Sequence, residues 1–262
     1  MKYLLFTLIF FSANTIACWE KLFIPETPII FLLAMGAETG ELTKANSDAQ
    51  SFANAVQKYF KINDDNVCVI PNVKKLGIKK ALKTLQKLAR SRDKVFIYFS
   101  GHGTTLPDYH KEEDDCLDEA FITNSGTLRD DKFVKLVNDI KTKNIVTFLD
   151  SCFASGMLRG EKECSTGAKS KFKLSFKAKK LPNRTCPKSE LTGKSKRLNG
   201  ILYAATRNGQ LAWEYPQGGI FTRVFIEKLE THNTFDEAFI KTKQQVLKTT
   251  KATSCEQEPK KW

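Results

Sequence analysis

Histidine is scarce in this chain, with 3 in 262 residues, and the 7 cysteines contain no Cys-x-x-Cys pair. A structural zinc site has too few ligands at the right spacing. So few cysteines also exclude a scaffold built mainly on disulfides. After residue 19 no apolar run is long enough to span a bilayer, which takes about 20 residues. Internal repeats are missing, so a solenoid is excluded. Acidic residues fall short of basic ones, 29 against 42, leaving a formal charge of +13. Hydrophobic residues make up 41% and charged residues 27%, a balance that excludes wholesale disorder and leaves room for one α/β domain with a sizeable core.

The positive excess is concentrated. Residues 159–197 carry 13 Lys/Arg against Glu161, Glu163 and Glu190, so one stretch holds +10 of the +13. It is rich in Ser, Lys, Gly and Pro and poor in apolar residues. That composition reads as a solvated loop rather than a folded nucleic-acid surface. No nucleic-acid partner is expected.

Met1-Lys2 opens onto an uncharged run from Tyr3 to Trp19 rich in Leu, Phe and Ile, the pattern of a secretory signal over residues 1–17. Cys18 directly after Ala17 adds a second reading, a lipoprotein signal with Cys18 as the lipidated residue. A third is an uncleaved anchor helix. The expected location is outside the cytoplasm, periplasmic or extracellular, with a membrane touched only through a lipid anchor at Cys18. In such a compartment Cys164 and Cys186, which flank the basic stretch, are a candidate disulfide.

Continuous apolar runs mark strands buried on both faces: Pro28–Met35, Lys94–Ser100 and Asn144–Leu149, with shorter ones at Val67–Ile70, Glu119–Thr123 and Gly200–Ala205. Amphipathic spacing predicts helices over Ser47–Phe60, Leu76–Arg90, Asp130–Lys141, Phe221–Leu229 and Phe235–Leu247. Ser47-Asp48 is the expected cap of the first. Strands alternating with helices imply a mainly parallel sheet with helices on both faces, with ligands bound beyond the carboxyl ends of the strands.

Two predicted strands end there in reactive residues, one in Gly101-His102-Gly103 and one in Asp150-Ser151-Cys152. A thiol titrates at about 8.5 and needs a base or a positive field to become a nucleophile, and an imidazole on the same sheet edge supplies it. Glycines beside such a turn let a backbone N–H approach a developing oxyanion.

YFSGHG (Tyr98–Gly103), DDCLDEAFIT (Asp114–Thr123) and LDSCFASG (Leu149–Gly156) resemble the marks of caspase-fold cysteine peptidases, closest to metacaspases and their bacterial relatives. ILYAATRNGQLAWE (Ile201–Glu214) and GGIFTRVFIEKL (Gly218–Leu229) resemble the small-subunit segment of that family. The 50 residues from His102 to Cys152 match the caspase separation. The resemblance implies a caspase-like α/β fold with a large-subunit part at 25–158, a processing region at 159–197 and a small-subunit part at 198–262. It implies that His102 is the general base and acid, that Cys152 is the nucleophile, and that the N–H groups of Gly103 and Cys152 form the oxyanion hole. Asp48, Ser100 and Asp150 match the acidic first pocket that makes metacaspases cut after Lys or Arg. Asp118, Asp130 and Asp131 match acidic positions that bind calcium in some metacaspases, whereas Arg159 stands where a fourth acidic ligand would fall. No cofactor is required on this reading.

The expected partners are thus proteins or peptides with Lys or Arg at the cleavage site, and the chain's own basic segment is one such substrate. Two alternatives stay open at this point. One is a non-catalytic caspase-fold protein that binds anionic partners through the basic stretch. The other is a peptidase of the same clan with a different specificity.

Overall fold

The computed structural model describes residues 18–19, 26–107, 117–152, 164–173, 197–207, 210–253 and 255–262. Its first half runs β1 (Ile30–Ala37), α1 (Ala45–Phe60), β2 (Val67–Ile70), α2 (Lys75–Leu88), β3 (Lys94–Gly101), β4 (Gly103–Pro107), β5 (Leu117–Thr123), β6 (Gly126–Arg129), α3 (Asp130–Asn138) and β7 (Ile145–Asp150). Its second half runs β8 (Lys169–Ser170), β9 (Ile201–Ala204), β10 (Trp213–Tyr215), β11 (Gly218–Gly219), α4 (Ile220–Thr231), α5 (Phe235–Lys251) and β12 (Lys260–Lys261).

The main sheet has the order β12-β9-β7-β3-β1-β2, parallel except for β12. Successive side chains of a strand face opposite sides, and each side of this sheet has its own core. Leu32, Ala34, Phe96, Tyr98 and Phe148 pack with Phe52 of α1, Phe225 of α4 and Phe239 of α5. Phe31, Leu33, Val95, Ile97 and Leu149 pack with Leu82 and Leu85 of α2 and Phe133 and Leu136 of α3. Rings stack within the first of these cores, Phe52 on Tyr98 at 4.3 Å and Phe148 on Phe221 at 4.4 Å between centroids. Offset stacking of this kind adds to what area burial alone contributes. The expected α/β sheet with helices on both faces is the observed one. Among the described residues no helix is long and apolar enough to cross a membrane.

Three expectations need correction. The first concerns the start of α1. Neither Ser47 nor Asp48 caps it; the helix begins at Ala45, and its N-cap residue Lys44 makes no side-chain cap. The carboxylate of Glu214 on β10 instead accepts hydrogen bonds from Thr43 N–H at 2.9 Å and Lys44 N–H at 3.2 Å. Within the first turn the Asn46 N–H donates to Glu38 Oε1 at 3.3 Å, and Asp48 turns inward.

The second concerns cysteine pairing. Cys164 is bonded to Cys255 rather than to Cys186, because the 164–173 segment folds back beside the C-terminal residues and brings the two Cα atoms to 5.1 Å. Cys18 is bonded to Cys68, which occupies the thiol a lipid anchor would need. Cys116, Cys186, Arg159 and the 1–17 signal segment lie outside the described residues.

The third concerns the basic stretch. Its described part, residues 164–173, is not a solvated loop: Lys171 is wholly buried and Cys164, Ala168 and Phe172 join the core. The rest of that stretch up to residue 196 lies outside the described residues.

Candidate active site

Strands β3 and β7 are parallel neighbours with Ser100 paired to Asp150. His102 and Cys152 each follow that pair by two residues, so the register sets both at the same carboxyl edge. The backbones touch there, and a Cβ on Gly103 would overlap the Cys152 carbonyl oxygen. Only glycine fits at that point. His102 is fully buried and Cys152 is 2% exposed.

The cover over both residues is the chain itself. β8 lies antiparallel on β10, with Ser170 opposite Trp213 and Lys169 opposite Glu214. The Lys171 N–H donates to the Ala212 carbonyl at 2.8 Å, and the Gly103 N–H donates to the Lys171 carbonyl at 2.8 Å. One step further, the Lys173 N–H donates to the Gly103 carbonyl at 3.0 Å. The main chain from Lys169 to Lys173 thus runs through the cleft as an added strand, a common mode of peptide recognition. It carries the Lys171–Phe172 peptide bond past the two reactive side chains.

The Lys171 side chain enters a pocket made by the expected residues. Its Nζ stands 3.2 Å from Asp48 Oδ2 and 3.1 Å from Asp150 Oδ1, and donates to Ser100 Oγ at 2.9 Å. Each acid is itself held. Asp48 accepts from the Ser100 hydroxyl at 3.1 Å and from the Gly219 N–H, whereas Asp150 accepts from the Thr222 hydroxyl at 2.6 Å. A Cβ on Gly219 would strike Asp150 Oδ2 and lie 2.6 Å from the ammonium, so the mouth of the pocket requires glycine. Burial pulls the Lys171 pKa down, but Asp150 and Asp48 outweigh it and hold the ammonium charged. Burial lifts the Asp48 carboxyl, Lys171 lowers it again and Asp150 raises it further, for a net rise. A buried cation between two anions satisfies the rule that buried charges are paired.

The reactive pair is neutral beneath this cover. Burial pushes the Cys152 thiol up to about 12, against the opposing pull of the Ala212 N–H, which donates to Sγ at 2.9 Å. Burial also presses the His102 imidazole down to about 4. Glu41, with Oε1 3.7 Å from Nε2, and the Lys171 backbone raise it, while Lys173 and Lys171 lower it further. An unfolded histidine titrates near 6.5, so the unfolded chain binds the proton first as pH falls. The resulting stability is complete above pH 6.5 and is lost as pH drops through 4, by at most about 3 kcal/mol. Urea unfolding of the uncut chain from pH 7 to 4 should therefore show an acid-side loss that His102→Asn removes. Equal slopes for the two proteins would contradict the buried neutral imidazole.

Among the described residues, Asp118, Asp130 and Asp131, the acids expected to bind calcium, are not gathered into one metal-holding group. Asp118 on β5 gives its carboxylate to the Arg129 guanidinium, so a cation already occupies that position. Asp130 and Asp131 begin α3, where acids favour the helix N-terminus. Among the described residues no group of three or more His, Cys, Asp or Glu could hold a metal ion. No chemical step is routed through calcium.

Reading the sequence did not find Glu214, Glu41 or Lys171. Glu214 left a signal, as an acid between Trp213 and Tyr215 in a short apolar strand. Lys171 left none that sets it apart from the other lysines around it.

A family model described as the caspase domain matches residues 32–261. The chain therefore belongs to the caspase-domain family, and the curated proteins it resembles are metacaspases. Metacaspase-7 of Arabidopsis thaliana is 37% identical over 90 residues, covering 33% of this chain and 22% of that protein. Metacaspase-1 of Coccidioides immitis is 30% identical over 115 residues, covering 42% of this chain and 25% of that one. The matched stretches thus span about a quarter of each relative's length. Protein GSU0716 of Geobacter sulfurreducens, a solved structure, superposes with a TM-score of 0.63 at 16% identity, covering 90% of this chain and 93% of that one, a likeness of fold.

Proposed function

We propose that this chain is an exported cysteine endopeptidase that cuts after Lys or Arg, is held closed by its own residues 169–173, and opens by cutting itself between Lys171 and Phe172. The observation that carries the reading is the pose of Lys171. Its side chain lies between Asp48 and Asp150, and its carbonyl lies on the Gly103 N–H. That is how a substrate would be held ready for acyl transfer.

His102 would take the Cys152 proton, and the thiolate would attack the Lys171 carbonyl carbon. The Gly103 N–H would stabilise the oxyanion. The C–N bond to Phe172 would break, with the leaving amine taking the proton from His102. Water, deprotonated by His102, would hydrolyse the thioester to a Lys171 carboxylate and regenerate the thiol. The cover keeps the resting pair neutral, so this step awaits a transient loosening that admits water.

The two disulfides among the described residues support the export reading. The Cys18–Cys68 bond favours simple secretion over a lipid anchor. No observation favours a polyanion-binding module, because the described basic residues nearest the site face carboxylates and carbonyls of the chain itself.

Fluorogenic peptides ending in Arg, Lys, Asp or Asn before the scissile bond test the specificity. Arg and Lys peptides should be cut by the wild type and not by Cys152→Ala, with no change on adding calcium. Preference for Asp would remove the pocket assignment. A second outcome follows from connectivity: Cys164 and Cys255 lie on opposite sides of the cut and are bonded. The processed protein should run as one band on a non-reducing gel and as two after reduction.

A further inference from the structure

The geometry points to Glu41 as a specificity-determining residue: its backbone carbonyl receives the basic side chain before the scissile bond, and its carboxylate, on the loop that Lys173 approaches, favours a basic side chain after it. This rests on the proposed reading that the chain is cut after Lys171. Glu41 lies in the β1–α1 loop, beside His102. On the amino side, the Lys169 ammonium donates to the Glu41 carbonyl oxygen at 2.6 Å. On the carboxyl side, a Cβ built on Gly40 would stand 2.9 Å from Lys173 Nζ and 3.3 Å from His102 Nε2. The Lys173 ammonium and the imidazole edge therefore converge on the backbone beside Glu41. The Glu41 carboxylate, 53% exposed, is 3.7 Å from the same imidazole nitrogen.

Backbone pairing fixes which substrate positions these are. Lys169 lies two residues before Lys171 in the strand along β10, and Lys173 lies two residues after it, tied to Gly103. The inferred substrate is a lysine- or arginine-rich segment in which the cleaved residue has a basic neighbour two positions away on each side. Gly40 has a φ of +59°, a left-handed conformation that a side chain would strain, so the loop holds Glu41 in place. The carboxylate also favours the protonated imidazole, and the two lysines oppose it. Once the cover leaves, Glu41 remains as the charged neighbour of His102.

The test uses processed full-length enzyme and internally quenched peptides copying residues 167–175. In one, the lysine at the Lys173 position is replaced by Glu; in another, the lysine at the Lys169 position is replaced by Ala. An exposed ion pair contributes modestly, so the wild type should cut the Glu peptide about two- to fivefold less efficiently, through KM more than kcat. Glu41→Gln should erase that difference, and Glu41→Lys should invert it. Because a backbone carbonyl serves Lys169, the Ala peptide should be disfavoured equally by wild type and Glu41→Gln. Glu41→Gln should also move the acid limb of kcat/KM to lower pH, which a merely structural role would not do. An unchanged Glu/Lys discrimination in Glu41→Gln and Glu41→Lys would overturn the inference while leaving the peptidase reading intact. Cutting of no peptide by the wild type, or equal cutting by Cys152→Ala, would instead overturn the peptidase reading on which the inference stands.

Discussion

Lys171→Ala should give an enzyme that cannot cut itself at residue 171 yet hydrolyses an added Arg or Lys peptide at once, without the lag of the wild type. The closed form places one ammonium against two buried carboxylates. Removing the cation leaves Asp48 and Asp150 buried and uncompensated, a loss of about 3–5 kcal/mol for the closed form. A shift of that size changes the open-to-closed ratio by roughly 10²–10⁴-fold. Water then reaches the acids, and the pocket is free for a substrate side chain. Lys171→Arg should keep both closure and self-cleavage, since a guanidinium suits the same carboxylates. Progress curves for the three proteins, begun before any cleavage, make the comparison. Equal initial rates for wild type and Lys171→Ala would show that residue 171 does not close the site.

Asp48→Asn should lower kcat/KM for Lys and Arg peptides by roughly thirtyfold or more. Truncating one partner of a buried, hydrogen-bonded charge pair costs about 2 kcal/mol at least. The asparagine carbonyl can still accept from Gly219 N–H, now made by Asp48, so the fold around β11 keeps its support. The loss should therefore fall on cationic substrates, with little change in the melting temperature of the cut enzyme. An Arg peptide cut as fast by Asp48→Asn as by wild type would place the cation elsewhere. Asp150→Asn is less clean, because that carboxylate also anchors Thr222 at the start of α4.

The parts legible in the sequence are those encoded by local pattern. Strands β1, β3 and β7 are continuous apolar runs because both faces are covered, and α2 and α3 show a stripe because one face is. His102 and Cys152 were legible because reactive residues closing two apolar strands share one edge. The cover formed by residues 169–173 was not: composition alone makes 159–197 a solvated loop, whereas a single lysine finds two carboxylates brought together by β7 and α1. Neither carboxylate lies near residue 171 in the chain. Asp48 as a helix cap was a sound local reading, but the helix starts three residues earlier, at Ala45, and Glu38 and Glu214 take the N–H groups at its start. The Cys164–Cys255 bond was equally hidden, because it depends on where the 164–173 segment folds back. What local pattern cannot carry is long-range pairing, and the seating of Lys171 between Asp48 and Asp150 is built from long-range pairs.

The most direct measurement is the amino-terminal sequence and intact mass of purified wild type and Cys152→Ala after incubation alone. The account predicts a new amino terminus at Phe172 in the wild type and an intact chain in Cys152→Ala. Release of the same fragment from both proteins, or an active wild type in which the Lys171–Phe172 bond survives, would contradict it.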